Sequence, residues 1–428
     1  MKTAIVWFKT DLRILDNETL VRAIAQSQEI IPVYCFDEAH FKTTAFGFKK
    51  TGSFRAQFLL ESLQDLDKSL RALGSGLVVV TGKPEEELPK LVKHYRAQKV
   101  FAKREVAFEE KQTEKRVLEE LIKQRCELET LSTSTLYHAE DLPFSINNIP
   151  DVFTNFRKKI EQEASVRAIF EKPLKLQSPE ITKLKLPSLK DLGLQKSKID
   201  PRAALAFKGG ETAALKRLQH YFYDTKCLST YKETRNRMVG ANYSSKFSAW
   251  LAMGSLSPRY IYAKIKNYEE QFGANDSTYW LVFELLWRDY FRFMFKKHQI
   301  KFFLYEGIKT EKINTKSLNE KLLSEWINGA TQVDFVDANM IELQKTGFMS
   351  NRGRQNVASF FCNELNMDWR IGAAYFEEQL IDYDVCSNWG NWAYLAGVGN
   401  DPRNHRYFNI EKQAKDYDPK KEFRKLWL

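Results

Sequence analysis

Short apolar runs alternate with amphipathic segments over the first third of the chain. Five runs have the length and composition of buried strands, at residues 3–7, 30–36, 77–81, 99–102 and 127–131. Four segments between them carry apolar residues at helical spacing, at residues 17–25, 53–73, 84–96 and 108–125. This order predicts a doubly wound parallel sheet, with a ligand crevice beyond the carboxyl ends of its strands. Neither GxGxxG nor GxxxxGKS/T follows any of these strands, so a conventional NAD or ATP site is not expected.

The pattern changes after the fifth strand. Residues 172–201 are polar with spaced prolines, which predicts a long connection across the surface. From Gly209 onward the two-residue alternation is absent, and helical patterns follow one another with glycines and prolines between them. We therefore predict an α/β domain over residues 1–132, an inter-domain connection over 133–208 and a larger all-α domain over 209–428. No apolar run reaches the roughly 18 residues of a membrane span.

Amino-acid composition narrows the binding partners and the cellular location to be expected of the protein. The net charge of +11 and the pI near 9.1 predict attraction to a polyanion, although many basic proteins bind no nucleic acid. The 30 Phe, 18 Tyr and 9 Trp residues suit either a large core or the stacking of a planar cofactor. Five scattered cysteines without a CxxC pair indicate a reducing, cytoplasmic location and argue against zinc or disulfides. We expect a monomer without a membrane partner.

The first cluster of chemical interest lies within residues 231–257. Ser244, Ser245, Lys246 and Ser248 supply hydroxyl groups and a cation just before an apolar helical run. A helix N-terminus with such neighbours can hold a diphosphate. An ordinary serine-capped helix is the plainer alternative, and this cluster alone does not exclude it.

The second cluster lies within residues 284–292. On a helix, Glu284, Trp287 and Arg288 fall on adjacent turns, together with Phe291. The stripe could line a base pocket in which Trp287 stacks and Glu284 hydrogen-bonds a base edge. Taken alone, it is better explained by an amphipathic helix with a core tryptophan and an i,i+4 ion pair.

Two further clusters follow, at residues 350–356 and 380–403. The first surrounds Gly353 with polar side chains that would be costly to bury without partners, so it is a surface turn or a ligand site. The second combines acids and amides with aromatic rings, which suits recognition of a heteroaromatic ring: Asp382, Asp384, Asn388 and Asn391 alternate with Tyr383, Trp389, Trp392 and Tyr394. No metal-ligand spacing and no histidine in a triad context accompanies them.

Taken in order, these clusters resemble the photolyase and cryptochrome superfamily over nearly the whole chain. The opening VWFKTDLRILDNETL is similar to the N-terminal strand and loop of that family. Six other segments resemble its DASH-type cryptochromes in particular: KTGSFRAQFLLESL, YHAEDLPF, PDVFTNFRKKIE, FVDANM, GFMSNRGRQNVASF and SNWGNWAYLAGVGNDPR. The resemblance implies an α/β antenna domain and an α-helical domain that holds a U-shaped FAD.

The resemblance also implies which residues hold the flavin. The diphosphate side would be held by Tyr231, Ser244, Ser245, Lys246 and Ser248. Arg288 and Asn351 would lie beside the cofactor, and Asp382 would pair with Arg354 beneath the isoalloxazine ring. Asp384 would contact the polar edge of that ring, and Asn388 would face flavin N5.

The implied reaction is light-driven repair of cyclobutane pyrimidine dimers, in which excited reduced FAD donates an electron to the dimer. Glu284 would hydrogen-bond the dimer, Trp287 and Tyr394 would pack against it, and Gln355 and Asn351 would complete the wall. The alternatives are a blue-light photoreceptor that signals through a partner and a basic nucleic-acid-binding protein without flavin.

Departures from the superfamily pattern refine the expected substrate. Gln355 and Tyr394 stand where photolyases of duplex DNA usually have Met and Trp, as in the DASH branch. Weaker pocket contacts cannot offset the few kcal/mol needed to unstack a paired lesion, so we expect single-stranded DNA, with loop DNA or RNA as further partners. Repair of (6-4) adducts needs a histidine where this chain has Ser350 and Asn351, and is not expected.

The electron supply and the antenna are the remaining implications of the resemblance. Trp392 and Trp369 match the inner and middle tryptophans that photoreduce FAD. The outer one is expected between residues 306 and 317, where the sequence has none, so Tyr305 is the nearest redox-capable candidate. A 5,10-methenyltetrahydrofolate antenna would meet Glu109 or Glu110, although these could be a solvated pair at a helix start. Near Thr331, TQVD replaces the usual TGYP.

Overall fold

The computed structural model describes residues 2–309, 316, 318–403 and 406–428. The N-terminal part is a five-stranded sheet in which every pair of neighbouring strands is parallel. Its strands are β1 (Thr3–Phe8), β2 (Glu29–Phe36), β3 (Val78–Thr81), β4 (Lys99–Lys103) and β5 (Glu127–Leu131). All five predicted strands are confirmed, with ends that differ by at most one residue.

Four helices connect the strands: α1 (Glu18–Gln26), α2 (Ser53–Ala72), α3 (Pro84–Tyr95) and α4 (Phe108–Lys123). The predicted helices are confirmed, and their ends follow from local chemistry. Asn17 precedes α1 because its side chain accepts a hydrogen bond from the N–H of Leu20, and Arg96 ends α3 in a left-handed conformation. The strand order β3-β2-β1-β4-β5 reverses direction at β1, which places the expected crevice beyond β1 and β4.

The segment after β5 contains one α-helix, α5 (Phe153–Glu163), which buries Phe153, Phe156 and Ile160. Residues 172–201 contain neither helix nor strand, although Leu176 and Leu192 are buried. The division at residues 132 and 208 stays a prediction, because this segment has packing contacts of its own.

Helices make up the rest of the described chain, and no strand occurs after β5 in the residues that the structure describes. They are α6 (Glu211–Gln219), α7 (Tyr231–Thr234), α8 (Ser248–Ala252), α9 (Pro258–Phe272), α10 (Asp276–His298), α11 (Glu320–Asn328), α12 (Asp334–Thr346), α13 (Asn351–Asn363), α14 (Trp369–Gln379), α15 (Val385–Leu395), α16 (Ile410–Tyr417) and α17 (Glu422–Trp427). The predicted all-α second part is confirmed. Among the described helices, none is long and apolar enough to cross a membrane.

Two fully buried carboxylates tie these parts together. Asp16, which precedes α1, pairs with Arg259 of α9 at 2.6 Å. Asp289 of α10 accepts hydrogen bonds from the backbone N–H groups of Leu136 and Tyr137, at 3.0 and 2.9 Å. Burial raises the pKa of Asp289 to about 7, against the lowering effect of these hydrogen bonds. Both contacts fix α9 and α10 against segments that lie far away in the sequence.

Candidate functional site

The 23-residue helix α10 is the central support of the site. A capping box starts it: Asn275 accepts from the N–H groups of Ser277 and Thr278, and the Thr278 hydroxyl accepts from the N–H of Asn275. Its buried positions anchor it in the core, while Glu284, Trp287 and Arg288 remain partly accessible on one side. The three side chains therefore lie on one side of the helix, as the sequence pattern predicted.

A buried ion pair joins α10 to α15. Arg292 contacts both carboxylate oxygens of Asp384, with Nη1 at 3.3 Å from Oδ1. Asp384 also caps α15 by accepting from the N–H of Ser387 at 2.9 Å. Burial alone would raise the pKa of Asp384, but Arg292 and Arg288 hold it well below its ordinary value. Arg288 donates to the carbonyl oxygens of Ser134 and Leu251, and burial lowers its pKa to about 10.

A second buried pair lies between α13 and the turn before α15. Nη2 of Arg354 lies 2.9 and 2.8 Å from the two carboxylate oxygens of Asp382, whose side chain is only 1% exposed. Nε of Arg354 donates to the carbonyl of Met349 at 2.9 Å. The pairing that the resemblance implied is thus present. Asn388 lies on α15 and donates to the carbonyl of Ala373 at 3.0 Å.

A cluster of buried polar side chains surrounds Lys246. This residue has a left-handed backbone conformation before α8. Nζ of Lys246 lies 3.2 Å from the centre of the Tyr243 ring and 4.6 Å from that of Phe348. Within the described chain, this amine, the Tyr243 hydroxyl and one carboxylate oxygen of Glu342 have no hydrogen-bond partner. Burial lowers the pKa of Lys246 and raises that of Glu342 to about 8.

The other residues predicted for the diphosphate side have different exposures. Ser245 is buried and Ser244 half-buried, and their carbonyl oxygens accept from Arg217 at 3.0 and 3.1 Å. Ser248 is exposed at the start of α8. Tyr231 is buried on α7, near enough to Glu284 for that carboxyl to raise its pKa further than burial alone.

An aromatic recess lies on the accessible side of α10. Trp287 lies flat against Phe153, with ring centres 3.7 Å apart, and meets Tyr394 edge-on at 6.0 Å. The ion partner of Glu284 is Arg235, at 2.9 Å, so the i,i+4 pair that the plainer sequence interpretation required is not the arrangement found. Burial raises the pKa of Glu284, while Arg235 lowers it.

The remaining wall residues lie in the first two turns of α13. Asn351 is exposed and Gln355 is half-buried. Arg406 donates to the Tyr394 hydroxyl at 3.2 Å and lies over its ring. Neither Arg235 nor Arg406 was predicted as a site residue. Arg235 lies within the 231–257 cluster but was assigned no role there, and Arg406 follows the 380–403 cluster.

The two predicted electron-chain tryptophans lie on facing helices. Trp392 of α15 packs against Phe376 at 5.1 Å, and a Cβ atom on Gly372 of α14 would overlap its ring. Trp369, at the start of α14, donates to the carbonyl of Tyr305 at 3.0 Å. Most of the window predicted for an outer tryptophan, residues 310–315 and 317, lies outside the described residues.

A cavity of about 570 Å³ lies beyond β1 and β4, at the expected crevice. Residues of the sheet, including Lys9 and Glu105, and residues of the helical part, including Asp384 and Trp389, line it. Glu110 is half-buried there, and burial raises its pKa to about 7. One of its carboxylate oxygens has no hydrogen-bond partner within the described chain.

Glu109 differs from its neighbour. Its side chain is 66% exposed and it pairs with Lys50 at the mouth of the same cavity. The structure therefore separates the two acidic residues that the sequence left equivalent.

Comparison with known proteins identifies the family of this arrangement. The model for DNA photolyase matches residues 4–179, and that for the FAD binding domain of DNA photolyase matches residues 280–428. Cryptochrome DASH of Gloeobacter violaceus is 50% identical over 428 residues, covering 100% of this chain and 85% of that protein. The chain belongs to the cryptochrome DASH family. The predicted family is thereby confirmed.

Solved structures of this superfamily match the fold as well. The crystal structure of Synechocystis cryptochrome has a TM-score of 0.96 at 49% identity and covers 100% of this chain and 89% of that one. A class III photolyase from Agrobacterium tumefaciens has a TM-score of 0.84 at 26% identity, covering 100% and 86%. The DASH chain therefore has the photolyase FAD-binding domain in its helical part.

The buried polar atoms around Lys246 fit such a cofactor. Buried polar groups are normally paired, so a cluster of them without hydrogen-bond partners in the described chain indicates a ligand site. An anionic diphosphate would satisfy the amine, and a polar ring edge would satisfy neighbouring amide and carboxyl groups. Asn339 and Glu342 of α12 join this set, and neither was predicted from the sequence as a site residue. The sequence contained a signal, because these two polar residues stand three apart on a buried helix face, Asn339 within FVDANM and Glu342 two positions after it.

One departure from the family pattern has a visible consequence. In TQVD, Gln332 occupies a left-handed backbone position, at φ 67°, where the usual TGYP has glycine. A side chain in that conformation is strained by about 1 kcal/mol relative to glycine.

Substitution of Lys246 tests whether its unpaired amine serves the cofactor. Lys246→Met removes a buried polar group, so the flavin-free protein is expected to gain about 1–3 kcal/mol of stability. The rise in thermal midpoint on adding FAD should shrink in the same variant, because the diphosphate loses a partner. Thermal unfolding with and without FAD measures both, and Lys216→Met, on the exposed side of α6, is the control. A lower flavin-free midpoint with an unchanged response to FAD would contradict the assignment.

Proposed function

We propose that this protein repairs cyclobutane pyrimidine dimers in single-stranded DNA, driven by blue light. The observation that carries the proposal is the recess of Glu284, Trp287 and Tyr394 on the accessible side of α10. Trp287 is partly exposed and its ring is held flat by Phe153, and Tyr394 adds an edge at 6.0 Å. Two adjacent pyrimidines have ring faces that can pack against these aromatic side chains and base edges that can hydrogen-bond the carboxyl group of Glu284.

FAD in the helical domain supplies the chemistry: in its reduced form, excited by blue light, it provides the electron that splits the dimer. The paired charges of Arg354 and Asp382 hold the floor of the flavin site without leaving a buried charge unpaired. Lys246, Ser244, Ser245, Ser248 and Tyr231 hold the diphosphate side. Arg288, Asp384 and Asn388 would hold the ring side of the cofactor, with Asn388 available to hydrogen-bond its N5 atom.

The recess favours a lesion that is already unstacked. Tyr394 is held by Arg406 and presents only its edge to Trp287, so its contact area with a base is smaller than that of a tryptophan. Gln355 and Asn351 complete a polar wall, which adds little stacking energy. A few kcal/mol are needed to extrude a dimer from duplex DNA, and single strands or loops avoid this cost.

The charge of the chain supports a nucleic-acid partner. The net charge of +11 favours binding to a polyanion, including loop DNA or RNA. Arg235, beside Glu284, adds a cation at the edge of the recess. We propose that the protein acts as a monomer in the cytoplasm.

Trp392 and Trp369 supply electrons to oxidised FAD in this proposal. Trp392 lies in the core between α13 and α14, and Trp369 lies at the start of α14.

Repair of defined oligonucleotides tests the proposal. Chemically reduced, FAD-loaded protein under blue light should repair a dimer in a single strand faster than the same dimer in a duplex. Glu284→Gln should keep its FAD and lower the repair rate roughly tenfold to a hundredfold, because it loses a hydrogen bond from a charged group. Glu163→Gln, exposed at the end of α5, is the control. Absence of light-dependent repair on both substrates would contradict the proposal and favour a photoreceptor.

We further propose that the cavity between β1, β4 and the helical part binds 5,10-methenyltetrahydrofolate as an antenna. Its volume of about 570 Å³ suits a pterin with its attached ring. Glu110, rather than Glu109, is the residue that faces the pterin. The carboxyl group of Glu110 has a buried, unused oxygen that is available to a pterin N–H group, whereas Glu109 is exposed and paired with Lys50.

Folate binding should depend on pH through Glu110. Its pKa of about 7 lies above the ordinary value, because burial and the neighbouring Glu105 outweigh Lys50. The carboxylate that accepts a pterin N–H is therefore lost below about pH 7, and binding should tighten as pH rises through that value. Glu110→Gln should weaken binding and remove this dependence, while Glu109→Gln changes it little. Folate fluorescence, read before the methenyl bridge hydrolyses, measures both, and the opposite ranking of the variants would contradict the assignment.

A further inference from the structure

Trp389 of α15 connects the predicted electron chain to the cavity between the two parts of the molecule. Its ring centre lies 5.8 Å from that of Trp369, at an angle of 76°. Phe303 packs against it at 5.0 Å, and Trp389 belongs to the lining of the cavity of about 570 Å³. An indole in this position has contact with Trp369 on one side and access from the cavity on the other.

The hydrogen bonds of the two indoles differ in their chemistry. Trp369 donates its N–H to a backbone carbonyl, that of Tyr305, which cannot accept a proton at ordinary pH. Trp389 donates its N–H to a carboxylate oxygen of Glu377 at 3.2 Å, with the Tyr383 hydroxyl at the same distance. An indole radical cation is far more acidic than the neutral indole, and of these two radicals only the one at Trp389 has a carboxylate in contact with its N–H.

Glu377 is surrounded by two cations and two hydrogen-bond donors, which favour its ionised form. Arg55 of α2 and Lys50, which precedes that helix, are the cations that face it, and Tyr383 and Trp389 donate hydrogen bonds to it. Burial raises the pKa of Glu377 against these four groups. A carboxylate with a raised pKa binds a proton more strongly once it is ionised.

We propose that Trp389 is the terminal electron donor of this chain and that Glu377 is its proton acceptor. The inference rests on the proposed photoreduction through Trp392 and Trp369. Trp389 gives one electron to the oxidised indole of Trp369, and its N–H proton moves to the Glu377 carboxylate. A thiolate that enters the cavity returns one electron to the Trp389 radical, and Glu377 returns the proton. Two such thiyl radicals combine to a disulfide, which balances the electrons.

Transient absorption of FAD-loaded, folate-free protein with an added thiol tests this proposal. In the wild type, a tryptophan radical cation should give way to a long-lived neutral radical. Trp389→Phe should lose the neutral radical and most of the thiol-dependent photoreduction, and Trp389→Tyr should restore part of it. Trp427→Phe removes a buried indole of α17 and should match the wild type. Normal FAD content in each variant shows that it is folded.

Glu377→Gln separates the proton transfer from the electron transfer. This variant keeps a hydrogen-bond acceptor but has no carboxylate, so the radical should persist as the cation and recombine. In the wild type the yield of neutral radical should rise with pH as Glu377 ionises, and the variant should lose that dependence. Neutral radical formed at an unchanged rate would overturn the role of Glu377.

Two outcomes would overturn the role of Trp389. One is wild-type photoreduction in Trp389→Phe, and the other is loss of the neutral radical in Tyr305→Phe while Trp389→Phe retains it. None of these measurements uses DNA, so failure of repair would leave their result intact.

Discussion

The buried ion pair between Arg292 and Asp384 fixes the two helices that carry most of the site. Arg292 is on α10, below Glu284 and Trp287, and Asp384 starts α15, which carries Asn388. The two charges are almost fully buried, so each depends on the other, and removal of one partner of such a pair costs about 3–5 kcal/mol. The same carboxylate caps α15, so its orientation sets where that helix begins. The recess, the predicted flavin contacts and the cavity wall therefore share one anchor.

Burial of charge has a second consequence around Lys246 and Glu342. These side chains lie close together without the hydrogen bonds that would normally offset their burial, within the part of the chain that the structure describes. Such an arrangement lowers the stability of the protein by itself and becomes favourable when a ligand supplies the partners. The helical part is therefore less stable without its ligand than it would be with an apolar site, which is common at functional sites.

Much of the fold follows from the sequence because its signals are local. Apolar runs and helical spacing predicted the five strands and the connecting helices to within a residue or two, and side-chain caps such as Asn17 account for the differences. The pairing of Arg354 with Asp382 followed from the family resemblance. The ion partner of Glu284 was not predicted, because Arg235 approaches it from a separate segment of the chain.

The exposures of the two acidic residues at the cavity and the contacts of the Trp389 indole could not be predicted from the sequence either. Glu109 and Glu110 are adjacent in sequence, and only the packing of α4 against the cavity leaves Glu109 exposed and Glu110 half-buried with one buried oxygen. Trp389 was one of several aromatic residues in its segment, and its contact with Trp369 depends on how α14 packs against α15. Tertiary contacts of this kind have no periodicity that a single sequence could display.

The visible absorption spectrum of the purified protein, with the released cofactor identified by mass, tests the central claim most directly. The arrangement of α10, α12, α13 and α15 predicts a yellow protein that carries close to one FAD per chain. A colourless protein that fails to take up added FAD, yet still binds single-stranded DNA, would contradict the account and leave a basic nucleic-acid-binding protein without flavin.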